Sequence, residues 1–316
     1  MKIAIVLGNG FDLDLGLKTR YSDFMNSKEW GEIVKQYETS LLSEVYCNCS
    51  LIKYLIDAKE SANWFDLEEE IHKFVQLHVE DDEKAISSIR CEFEDIRSAL
   101  KKYLKIIVEN LEVDNTKLSN KLFGEIFRLK IPTSIINFNY TNYINSKKFH
   151  PLALTYFSYN FTYIHEALAG NDLILGCDLQ DNEPVNRQLS FMYKYNMRSE
   201  TNNVAYKLLE ADEVIFFGHS INVMDFHNFK TFFKATTRIL QPRTHLTIFT
   251  YDKESERCIK DNIQSQGISV TELYNNLATF TFIHTKDFYD NVKEERQNYE
   301  DLIYRLSKEE KEDSQG

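Results

Sequence analysis

The run Lys2-Ile3-Ala4-Ile5-Val6-Leu7, stopped by Gly8-Asn9-Gly10, constrains this chain more than any other stretch. A short apolar run rich in β-branched residues suits a strand buried on both faces, the kind found in parallel sheets covered by helices. Gly8 and Gly10 allow positive φ and close backbone approach, which serves a plain tight turn as well as a ligand loop. The spacing to Gly16 is G-x-G-x5-G and departs from the G-x-G-x-x-G dinucleotide fingerprint. Asp12 and Asp14 sit where a pure phosphate cradle has no use for negative charge. A ligand held by Gly8, Asn9, Gly10, Phe11, Asp12 and Gly16 is therefore expected to offer sugar or amide groups as well.

Two later runs end in the same way. Ile131-Pro132-Thr133-Ser134-Ile135-Ile136-Asn137-Phe138 leads into Asn139-Tyr140-Thr141-Asn142, and Glu213-Val214-Ile215-Phe216-Phe217 leads into Gly218-His219-Ser220 with Asp225 beyond. Short polar side chains at the carboxyl end of a strand are where open α/β sheets bind ligands; Asn139 or Thr141 capping a following helix is the competing reading. Further strands are expected at residues 161–166, 173–178, 244–251, 268–273 and 279–283, with 169–172 as a turn. Helices are expected at 190–209, 254–265 and from Asp287 onward, the last fraying into a charged tail. His165 closes one of these runs, and a lone histidine there is as compatible with a core position as with catalysis.

Between the first two ligand-capable turns no strand is evident. Thr19 or Ser22 would cap a helix, Trp64-Phe65-Asp66-Leu67-Glu68-Glu69-Glu70-Ile71 opens another with acids in its first turn, and Ile86, Ile89, Phe93, Ile96, Leu100, Leu104, Ile107 and Leu111 mark one long amphipathic helix. Alternation of strands and helices elsewhere argues an α/β fold with a mainly parallel sheet. The expected organisation is a core of residues 1–19 and 130–285, a helical insertion at 20–129, and a C-terminal helix and tail at 286–316.

Composition narrows the partners. A net charge of −12 gives no overall basic field for nucleic acid or an anionic membrane. Cys47, Cys49, Cys91, Cys177 and Cys258 are scattered, without a second pair at zinc spacing, and no metal site is expected. With no run of about 18 apolar residues and no signal-peptide pattern, a soluble cytoplasmic protein is expected.

The motifs taken together, Leu7-Gly8-Asn9-Gly10-Phe11-Asp12-Leu13, Gly16-Leu17, Tyr21-Ser22-Asp23-Phe24, Trp64-Phe65-Asp66-Leu67-Glu68, Asn137-Phe138-Asn139-Tyr140-Thr141 and Gly218-His219-Ser220 with Asp225, resemble the AbiH family of phage abortive-infection proteins. The resemblance implies antiphage defence in which the infected cell stops growing or dies. A more distant resemblance, to sirtuin-like Rossmann domains that hydrolyse NAD, implies a Rossmann-like core. It also implies NAD as substrate or ligand without a metal, Asn139 and His165 as catalytic residues, and Thr141, Gly218, His219, Ser220 and Asp225 among the binding residues. Glu166 and Asn9 depart from that pattern, and the zinc module of the deacylases is missing. The implied partners are a nucleotide and a phage-derived trigger, with homo-oligomerisation open. The competing reading is a non-catalytic nucleotide-binding sensor; a nuclease is disfavoured because no spaced metal-binding acid cluster stands out.

Overall fold

The computed structural model describes residues 1–41, 50–61, 66–78, 83–141, 161–165, 168, 173–179, 183–197, 203–238 and 244–312. Cys47, Cys49, Trp64, Phe65, Asn142, Glu166 and the expected turn at 169–172 lie outside them. The strands are β1 (Ile3–Leu7), β2 (Thr133–Asn137), β3 (Phe161–Tyr163), β4 (Glu213–Phe217), β5 (His245–Thr250) and β6 (Thr279–His284). The helices are α1 (Asn9–Leu15), α2 (Tyr21–Met25), α3 (Lys28–Leu41), α4 (Leu51–Ser61), α5 (Leu67–Leu77), α6 (Glu83–Asn110), α7 (Leu118–Leu129), α8 (Val204–Leu209), α9 (Lys230–Thr236), α10 (Lys253–Ser265), α11 (Val270–Asn276), α12 (Thr285–Tyr289) and α13 (Lys293–Glu312).

The described chain divides into two compact units: residues 1–17, 112–164 and 201–316 in one, and 18–111 and 165–200 in the other. The first is built on a six-stranded, all-parallel sheet in the order β3-β2-β1-β4-β5-β6. Strand order reverses about β1, whose five residues are all buried; burial of an aliphatic side chain of this size contributes roughly 1.5–3 kcal/mol. On one face Val6, Ile136, Phe216 and Ile248 meet Phe229 and Phe233, and α8, α10 and α11 add Leu208, Ile263 and Leu273 to the same core. On the other, Phe11 of α1 stands edge-on to Phe123 of α7 and Phe217 of β4, and Tyr299 of α13 meets Phe249. The register places Leu7 beside both Asn137 and Phe217. The turns after β1, β2 and β4 therefore start in one row, at the carboxyl edge of the sheet.

The second unit is helical. The expected stripe is real: Ile89, Phe93, Ile96, Leu100 and Leu104 are all buried along α6. Buried Glu92 on that helix accepts from Ser50 Oγ at 2.8 Å and from the Ile52 amide at 2.9 Å, tying α6 to the start of α4. Asp66 caps α5 through the Glu68 and Glu69 amides, and Lys194, 1% exposed, pairs with Glu68 at 2.7 Å.

Four expectations are corrected. Residues 173–178 form no strand: Cys177 makes an isolated bridge to Tyr193, and the Leu173 carbonyl accepts from the Arg97 guanidinium in place of a ladder partner. Residues 268–273 start α11, because Ser269 accepts from the Glu272 amide and caps a helix whose Leu273 faces the core. Residues 190–209 hold two single 3₁₀ turns (Ser190–Met192 and Lys194–Asn196) and the short α8. At α2 neither Thr19 nor Ser22 is the cap: Arg20 occupies that position, its amide donating to Asp23 at 3.3 Å.

Candidate functional site

At the end of β1 the chain turns at Gly8 and enters α1. The Gly8 amide donates to the Phe217 carbonyl at 3.0 Å, the Gly10 amide to the Gly218 carbonyl at 2.9 Å, and the Phe11 amide to the Gly8 carbonyl at 2.9 Å. The glycines are needed for a backbone-to-backbone approach. A Cβ on Gly10 would lie 2.6 Å from Gly218 Cα, and one on Gly218, whose φ is +65°, would lie 2.4 Å from Gly10 Cα. Gly16 is the left-handed C-cap of α1, its amide donating to the Leu13 carbonyl at 3.0 Å. The G-x-G-x5-G spacing thus combines two positions of loop-on-loop packing with a helix stop.

The turn after β2 closes over the same place. Asn137, last in the strand, accepts from the Asn139 amide at 3.0 Å and donates to the Thr141 carbonyl at 2.9 Å. That clasp aims Asn139 and Thr141 at α1. Asn139 Nδ2 donates to the Gly8 carbonyl at 3.0 Å and to Asp12 Oδ1 at 3.1 Å; Thr141 Oγ1 donates to Asp12 Oδ2 at 2.7 Å. Asp12 is 2% exposed. Burial pushes its carboxyl up to about 7, and the bonds from Thr141 and Asn139 pull in the other direction without offsetting the lost hydration. A buried acid that titrates near neutrality at the carboxyl edge of an α/β sheet is the kind of group active sites contain.

Asp14 has another job. Its carboxylate accepts from the Ser119 amide at 2.9 Å, in the first turn of α7, and from Tyr289 Oη at 2.7 Å. It caps a neighbouring helix and fixes the tyrosine, and burial together with the Asp14 hydrogen bond pushes the Tyr289 hydroxyl pKa up.

After β4, His219 turns inward. Its Nδ1 accepts from the Ile221 amide at 2.9 Å, which places the proton of the neutral ring on Nε2, 3.8 Å from Asp225 Oδ2. Phe138, Phe229 and Phe216 surround the ring, and burial lowers its pKa to about 3. Ile221 is held at φ +47°, a conformation β-branched residues rarely adopt. Ser220 and Asn9 are exposed, and Phe11 is core. His165 is buried and belongs to the helical unit, where its carbonyl accepts from the Ile174 amide at 3.0 Å.

The structure thus unites Gly8, Gly10, Asp12, Asn139, Thr141 and Gly218 in one hydrogen-bonded cluster. A dehydrogenase-type pyrophosphate cradle needs loop amides that face the ligand, and the Gly8, Gly10 and Phe11 amides are committed to the protein. What this edge offers is side chains rather than these amides. Asn137 and Phe138 were not singled out from the sequence as site residues. An Asn at the last strand position with another two residues on is the pattern of a side-chain-closed turn, and it was the available signal.

Sheet order, covering helices and the converging turns define an α/β protein of the Rossmann type whose turns after β1, β2 and β4 meet at the carboxyl edge of the sheet. A family model, AbiH, described as bacteriophage abortive infection, matches residues 4–249. The chain belongs to the AbiH family, and its role is in abortive infection by phage. No curated protein and no solved structure matches it. Among the described residues, no helix is long and apolar enough to cross a membrane.

Proposed function

We propose that this chain is an antiphage effector, acting in the cytoplasm, that binds NAD at the carboxyl edge of its sheet and hydrolyses it to nicotinamide and ADP-ribose. The observation that carries the reading is Asp12: a buried carboxyl, pushed up to about 7, held by Asn139 and Thr141 where the sheet order reverses. In the hydrolysis, water adds across the bond between the nicotinamide nitrogen and ribose C1′, and one proton is released. Asp12 titrates in the range needed to accept that proton, and Asn139 is beside it to orient polar groups of the substrate. His219, neutral and enclosed by rings, holds the β4 turn in place. His165 retains the catalytic role that the sirtuin resemblance implies and is tested by substitution.

A specific observation favours a second reading, a non-catalytic nucleotide sensor: Asp12, Asn139 and three turn amides hydrogen-bond to one another and to backbone. Calorimetric titration of the purified chain with NAD, combined with chromatographic detection of nicotinamide, separates the two. Saturable binding that Asn139→Ala weakens at least tenfold, with nicotinamide formed, is the expected result. Binding without any nicotinamide favours the sensor, and no binding at millimolar NAD contradicts both.

A further inference from the structure

At the far side of the sheet β6 ends in His284, a residue to which neither the family nor the proposed reaction gives a task. The chain passes directly into α12, which carries Asp287 in its first turn, and α13 brings Glu295 back in its own first turn. Glu295 Oε1 lies 2.7 Å and Asp287 Oδ2 4.0 Å from His284 Nδ1, and one donor atom from each of the three residues falls within 4.8 Å of the others. His284 and Glu295 are 5% and 4% exposed, and Asp287 keeps the cluster in touch with solvent. On its other side the imidazole Nε2 meets Glu256 Oε2 at 2.7 Å, and Lys260 holds the second oxygen of Glu256. The His284 amide donates to Glu295 Oε2 at 2.8 Å, which leaves Oε1 turned toward Nδ1.

We propose that His284, Asp287 and Glu295 bind one divalent transition-metal ion, with Glu256 as the carboxylate that orients the imidazole from behind. Ligand atoms about 2.1 Å from one ion lie roughly 3–3.5 Å apart, and the two spacings from Nδ1 fall on either side of that range. A ligating histidine ordinarily donates its remaining ring N–H to a carboxylate, the part Glu256 plays here. Charge points the same way. With neutral imidazole, the carboxylates of Glu256, Asp287 and Glu295 face the single ammonium of Lys260, and the excess of two negative charges is what a divalent ion cancels. One nitrogen with carboxylate oxygens suits Mn²⁺, Fe²⁺ or Zn²⁺ better than Mg²⁺ or Ca²⁺, which favour oxygen alone. Three protein ligands leave coordination positions for water or a ligand oxygen. This site stands independently of NAD binding at Asp12.

The competing arrangement is an imidazolium that bridges Glu256 and Glu295 with no ion. Chelator-stripped protein titrated with MnCl₂ and with ZnCl₂ by calorimetry, with circular dichroism to verify folding, decides between them. One ion per chain is expected for at least one of the two metals. Asp287→Asn, a half-exposed substitution that leaves the core intact, and His284→Gln should each weaken binding at least tenfold, and Glu256→Gln about tenfold. Absence of saturable binding to either metal, or equal affinity in wild type and Asp287→Asn, overturns the proposal.

Discussion

Asp12 and Asp14 are two residues apart in one short helix, and the structure gives them opposite assignments. Asp14 meets a helix amide and a tyrosine hydroxyl and ends as a structural cap, whereas buried Asp12 meets two side chains from another turn. The difference has a measurable consequence. The folded pKa of Asp12, about 7, exceeds the ordinary 3.8, so its contribution to stability is full below pH 3.8 and is lost as pH rises through 7. Asp12→Asn can still accept from Asn139 and donate to Thr141 Oγ1. Urea unfolding at pH 5 and pH 8 should show wild type losing a few kcal/mol more than the variant over that interval; equal losses would contradict a buried, near-neutral Asp12. Neither role was legible in the sequence. Asp12 and Asn139 are separated by 127 positions, and local pattern carries no information about which acid a distant turn will reach.

Elements were easier to foresee than their contacts. β1, β4 and β5 are short runs of buried residues, and their apolar composition announced them. Residues 268–273 deceived because Ile268, Val270 and Leu273 suit a short strand as readily as a capped helix turn, and only the Ser269 cap with packing behind it decides. The glycine turn was legible as a turn, while its purpose was not. Against the Gly218 backbone Gly10→Val is a folding defect, since the Cβ alone overlaps the opposite loop. Gly218→Ala should cost about 2–4 kcal/mol from the same overlap plus a left-handed φ. Gly124→Ala, inside α7 with open space around it, should instead stabilise by about 0.5–1 kcal/mol. Chemical denaturation of both variants checks the contrast, and a Gly218→Ala protein as stable as wild type would show that the two loops do not interlock.

For the whole molecule, the parallel sheet and the convergence of three turns were readable because each strand stops in glycine or a small polar residue, the composition that carboxyl-edge sites require. The His284 cluster was not readable, as its members are spaced without a motif and are assembled by β6, α12 and α13. Membership in the AbiH family supplies the setting, a cell under phage attack, and the buried acid at the sheet edge supplies the proposed chemistry. NAD loss and protection can be read together only in infected cells, so the decisive observation belongs there. Intracellular NAD and ADP-ribose should be followed after infection in cells carrying wild type, Asp12→Asn, Asn139→Ala or His165→Ala, with protein levels matched. NAD should collapse and ADP-ribose rise in wild type, and both the NAD loss and protection should fail together in the Asp12, Asn139 and His165 variants. Full protection by the wild type with NAD unchanged would contradict the account.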